Sequence, residues 1–116
     1  MTSFPDQNLT KQKCEPCEIG TPPLTEAKEN ELMQQLTGWE LDRSATHLLR
    51  KKYSFKNFAA GLAFVNRVGE LAEHEGHHPN VLLYNYKHVK IELYTHKING
   101  LSYNDFIMAA KIDQLV

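Results

Sequence analysis

The sequence predicts an α+β fold, a two-layer sandwich with three helices packed on one face of a four-stranded antiparallel sheet. Three observations lead there. Three segments repeat their apolar residues at every third or fourth position, as amphipathic helices do. Short segments between them alternate apolar and polar residues, the habit of antiparallel strands with one buried and one wet face. The order along the chain is helix, two strands, helix, two strands, helix.

Residues 1–23 are polar, hold Pro5, Pro16, Pro22 and Pro23, and show no periodicity. They read as a flexible tail, which leaves 24–116 as the single domain. In LTEAKENELMQQLTGW, Thr25 caps the first helix and Glu26 and Glu29 suit its dipole. Leu32, Met33 and Leu36 form its apolar stripe, and Gly38 ends it. Trp39-Glu40-Leu41 begins a short strand, residues 42–45 turn, and HLLRKKYSF (47–55) returns. Asn57 caps the longest helix, whose expected buried face is Phe58, Leu62, Val65, Val68 and Leu71/Ala72. Gly76 and Pro79 close it. Strands follow over 80–84 and 87–95, joined by a hairpin at Asn85-Tyr86; in the second, Val89, Ile91 and Leu93 alternate with Lys90, Glu92 and Tyr94. Asn99-Gly100 turns, and Ser102 caps a last helix built around Phe106, Ala109, Ala110 and Ile112 or Asp113. Open edges in so small a sheet favour pairing with a second copy, so a homodimer or homotetramer is expected.

Composition narrows the function classes. At 116 residues with a net charge of −1, acidic and basic residues interspersed, the chain lacks the footprint of direct nucleic-acid binding. No apolar run approaches the ~20 residues of a membrane span, and the N-terminus lacks the apolar stretch of a signal peptide. A cytoplasmic protein is expected. Cys14 and Cys17 form a lone C-x-x-C on polar, proline-rich flanks. Two thiolates fall short of a structural zinc site, so both read as solvent-facing thiols.

The chemistry concentrates in HEGHHPN, residues 74–80. Taken literally, His74 to His78 satisfies H-E-x-x-H, the zinc-protease motif. That motif needs two histidines on one face of a continuing helix. Gly76 weakens the helix, and Pro79 pushes His78 out of the α region. A metal held by His74, His77 and His78 is a separate and less specific reading. His74 alone suits a helix C-terminus, where an imidazolium meets the dipole. His77 and His78, adjacent in extended backbone, must point to opposite sides, so one faces the protein or a pocket. His96 ends a strand near the sheet rim, and Asp105 stands three residues after the cap Ser102, where a first-turn acid would close a capping box. A loop after a helix, a strand end and a helix start can converge. Imidazoles so placed can both donate and accept a proton near neutrality.

In AEHEGHHPNVLLYNYKHVKIELYTHKINGLSYNDFIMAAKID the sequence resembles the pterin-4a-carbinolamine dehydratase family. His-His-Pro, Thr-His, Gly-Leu-Ser and the Asp at these spacings carry the likeness, and GWEL and YSFKNFAAGLAFVNRVGELAE extend it over about residues 25–116. The resemblance implies removal of water from 4a-hydroxytetrahydropterin to give quinonoid dihydropterin, in support of tetrahydropterin recycling. It implies no metal, no redox cofactor and no covalent nucleophile. It makes His77, His78 and His96 the active-site histidines; of these, His77 and His96 are expected to do the acid/base work, one on each face of the ring, and His78 to position the substrate. Asp105 would bind or orient, holding His96 or His78 in a useful tautomer, and Glu73, one helical turn before His77, would support that imidazole. His47, His74 and His88 have no match in the pattern, and His88 reads as solvated. Animal members also serve as dimerisation cofactors for a homeodomain transcription factor, so a non-catalytic coactivator scaffold is the alternative.

Overall fold

The computed structural model describes residues 8–16 and 18–116. Its regular elements are α1 (Glu26–Met33), β1 (Glu40–Asp42), β2 (Leu48–Ser54), α2 (Phe58–Glu75), β3 (Asn80–Tyr84), β4 (His88–Leu93) and α3 (Tyr103–Asp113). Short 3₁₀ turns occupy Leu9–Lys11 and His96–Ile98. The four strands pair antiparallel in the order β1-β2-β4-β3. The architecture is the predicted α+β sandwich.

Local chemistry sets the element ends. Thr25 accepts the Lys28 N–H and Asn57 accepts the Ala60 N–H, each satisfying a donor that the first helical turn leaves open. The β3–β4 hairpin turns through Asn85 and Tyr86 at φ 45° and 52°, the left-handed pair that matches strand twist. Register then puts Leu49 opposite Leu93, Tyr53 opposite Val89 and Val81 opposite Ile91 on the helix-facing side. Phe64, Val68 and Ala72 of α2 pack there with Phe106, Met108 and Ile112 of α3, Leu32 of α1 and Trp39. On the opposite side Arg50 pairs with Glu92, Asp42 and Glu40.

Three expectations change. The buried stripe of α2 is Gly61, Phe64, Val68, Ala72 and Glu75, while Phe58 and Leu62 are exposed. The helix carries apolar residues on two stripes, and the one containing Phe64 takes the sheet, against Tyr53 and Phe55. His96 does not end a strand. β4 stops at Leu93, Thr95 makes an isolated bridge to Gly100, and His96 opens a 3₁₀ turn closed by Asn99 at φ 52°. Finally, Cys14 is buried, not solvent-facing, and Leu9 before it is 2% exposed in the same core cluster. One leucine and one cysteine in a polar stretch make no period, so the pattern carries no sign of their burial. Cys17 lies outside the described residues.

Candidate active site

Gly76 shapes the site. At φ 69° it ends α2, and the N–H groups of both Gly76 and His77 bond back to the Ala72 carbonyl. The chain leaves the helix there, so the two neighbouring histidines part company. The His77 side chain is 12% exposed and points inward; His78 is 63% exposed. The same break separates His74 from His78, which therefore do not share a continuing helical face. Among the described residues no group of three or more His, Cys, Asp or Glu converges as metal ligands.

His77 Nε2 lies 2.6 Å from Asp105 Oδ1. Asp105 is fully buried, and its second oxygen accepts the Ser102 N–H at 2.9 Å and the Thr95 hydroxyl at 2.8 Å. The Thr95 and Ser102 hydroxyls are themselves 2.8 Å apart. The carboxylate is thus satisfied on both oxygens, as burial of a charge requires. An ionised Asp105 can only accept, which puts a proton on Nε2 of His77 and leaves Nδ1 of the neutral ring with its lone pair.

Two predicted partnerships are exchanged. Asp105 holds His77 rather than His96 or His78, and Glu73 reaches His78, at 2.5 Å, rather than His77. An i, i+4 contact from Glu73 to His77 needs an unbroken helix; the turn at Gly76 carries His77 inward and brings His78 back over Glu73. Both members of the Glu73–His78 pair are largely exposed, so solvent screens it and it adds little stability.

His77, His78 and His96 line one cleft of about 460 Å³. Tyr94, Thr95 and Lys97 complete the His96 side, and the ring of Tyr94 lies 4.2 Å from that of His96. Glu73 instead lines a neighbouring groove along α2, which His78 also borders. Asp105 is fully buried and meets the cleft only through its contact with His77. Sequence reasoning missed Tyr94, Lys97 and Asn104 as lining residues, together with Cys14, Glu15 and Pro16. The alternation that puts Tyr94 off the core face was the one available signal. His47 pairs with Glu29 and His88 with Ser54, away from the cleft.

An α+β sandwich that seats an imidazole on a buried carboxylate at the edge of a cleft holds groups of the kind that can exchange protons. Comparison with known proteins makes it particular: the chain belongs to the pterin 4 alpha carbinolamine dehydratase family, whose sequence profile matches residues 22–115. A Methylococcus capsulatus protein carrying the family's name is 46% identical over 108 residues, covering 93% of each chain. The mitochondrial pterin-4-alpha-carbinolamine dehydratase 2 of Arabidopsis thaliana is 43% identical over 93% of this chain and 59% of that longer one. Among solved structures, a transcriptional coactivator/pterin dehydratase from Brucella melitensis superposes with a TM-score of 0.74 at 30% identity, over 80% of this chain and 97% of that one. No helix among the described residues is long and apolar enough to cross a membrane.

Proposed function

We propose that the protein dehydrates 4a-hydroxytetrahydropterin to quinonoid dihydropterin by histidine acid/base catalysis, supporting tetrahydropterin recycling. The observation that carries this reading is the His77–Asp105 pair at the cleft holding His96. The reaction breaks the C4a–O bond and forms C4a=N5. The leaving hydroxyl needs a proton, N5 must lose one, and water departs. Electrons and atoms balance without an oxidant or a reductant. His77 and His96 exchange these protons with the ring, and His78, at the cleft's outer edge, positions it. Asp105 holds His77 in the tautomer that keeps Nδ1 able to accept.

The protein works in the cytoplasm as a homodimer or homotetramer. Exposed Phe58, Leu62, Val81 and Leu82 around α2 and the edge strand β3 support self-association. The alternative is a coactivator scaffold, a role that the Brucella relative carries in its name. Such a scaffold has no use for three histidines around a cleft, which favours the enzyme.

Mixing the protein with chemically generated 4a-hydroxytetrahydropterin and following absorbance tests the proposal. Dehydration faster than in buffer, lost in His77→Ala and in His96→Ala, is the expected result. No acceleration over buffer would leave the scaffold reading.

A further inference from the structure

Cys14, Glu15 and Pro16 line the same cleft as His77 and His96; they precede residues 22–115, which the family's profile matches, and fall within the 93% of the chain aligned with the Methylococcus relative. Side chains from two helices hold them there. Glu75 Oε1 accepts the Cys14 N–H at 2.9 Å. Asn104 grips Glu15 twice, Oδ1 accepting its N–H at 2.9 Å and Nδ2 donating to its carbonyl at 2.5 Å. Both anchors are buried, at 8% and 6% exposure, and Lys111 Nζ fixes the other Glu75 oxygen at 2.6 Å. The anchors also stand beside the proton-transfer pair: Glu75 is two residues before His77, and Asn104 is next to Asp105.

We propose that residues 14–16 form a fixed substrate-binding wall of the cleft, positioned by Glu75 and Asn104, so that affinity for a reduced pterin depends on a segment ahead of the residues 22–115 that the family's profile matches. The ligand's identity rests on the dehydratase reading; the wall itself rests on the hydrogen bonds just described. A bicyclic ring held against only one side of an open cleft keeps its other face in water. A second wall removes that face from water, a gain that ground state and transition state share. Loosening the wall therefore raises KM and leaves the chemical step alone. Glu75 and Asn104 border the cleft themselves; they act here as positioning residues through their hydrogen bonds to the wall.

The test measures KM and kcat for 4a-hydroxytetrahydropterin and, separately, the Kd of an oxidised pterin read by its own fluorescence. Glu75→Ala and Asn104→Ala should each raise KM and Kd by about tenfold with kcat within about twofold, the pattern of lost uniform binding. Glu75→Gln keeps an acceptor for the Cys14 N–H and should hold KM within about threefold of wild type. Because both anchors steady one wall, the double alanine variant should raise KM by less than the product of the singles. Should the alanine variants fail to fold, isosteric Asn104→Asp carries the test: it loses the donor to the Glu15 carbonyl and should raise KM in the same way. Unchanged KM and Kd in folded anchor variants would overturn the proposal. So would a fall in kcat with KM unmoved, which would assign the anchors to the His77–Asp105 pair. A wild-type protein that binds pterin in an anchor-dependent way but dehydrates nothing would sink the dehydratase reading and leave the wall standing. One that neither binds nor dehydrates pterin would sink both.

Discussion

His77 and Asp105, 28 positions apart in sequence, meet at 2.6 Å with the carboxylate fully buried beneath the imidazole. Removing the imidazole removes a proton carrier, so His77→Ala should lower kcat by about 10²- to 10⁴-fold, the usual worth of a positioned acid or base. Asp105→Asn keeps the shape but exchanges the carboxylate for an amide that can turn its NH₂ toward Nε2 and favour the other tautomer. It should lower kcat by at least about tenfold and also lower the Tm, since the Ser102 cap loses its charged acceptor at a cost of about 1 kcal/mol. Steady-state kinetics with thermal denaturation separates the two effects; an Asp105→Asn enzyme with wild-type kcat would refute the positioning role.

A second buried-edge carboxylate makes a purely structural prediction. Asp113 accepts from Trp39 Nε1 at 3.0 Å, Lys51 Nζ at 2.8 Å and the Tyr53 hydroxyl at 2.6 Å, tying the residue just before β1, strand β2 and the end of α3 together. Asp113→Ala strands three donors and should destabilise the fold by about 1–3 kcal/mol, the cost of unsatisfied polar groups at a partly exposed site. Urea unfolding measures it. Folded Asp113→Ala protein should retain the wild-type kcat, because the network lies apart from the cleft.

Acid stability should depend on Glu75. Burial pushes its carboxyl up, but the Lys111 ammonium and the Cys14 N–H outweigh burial and hold it below the usual carboxylate value. On acidification the unfolded chain takes up this proton first. The stabilisation is therefore complete above the unfolded carboxylate range and is lost as pH falls through the lower folded value. Below about pH 5 the Tm of Glu75→Gln should fall less steeply than that of wild type. Parallel slopes would show that Glu75 titrates alike in both states.

Burial, with help from the nearby Glu75 charge, pushes the Cys14 thiol up to about 12. Little thiolate forms near neutrality, and thiolate is the reactive species. Brief treatment with iodoacetamide at about pH 8 should leave the Cys14 peptide largely unmodified in folded protein and modify it fully in urea. Equal labelling in both, read by peptide mass, would show that the segment does not stay docked.

Regular patterning made the fold legible. The caps Thr25, Asn57 and Ser102, the stop at Gly76 and the alternation of Val89, Ile91 and Leu93 each follow from local chemistry and stand where the sequence puts them. The histidines were legible as a set, but not their partners. Partner choice turns on one backbone angle at Gly76, which swings His77 toward Asp105 and His78 toward Glu73. The α2 stripe misled because two apolar faces compete on that helix, and only the sheet decides between them. Cys14 and Leu9 were hidden because their burial depends on Glu75, Asn104 and α3, which lie far along the chain.

Asp105 serves three clients at once: the opening turn of α3, the hydroxyl of Thr95 and the imidazole of His77. Only the last bears on the proposed proton transfer. A descendant that abandoned catalysis would be free to let His77 drift, while the architecture would go on demanding the acid. Persistence of this aspartate in a relative therefore testifies to an intact scaffold, and the histidine opposite it is the residue whose loss would betray a retired enzyme.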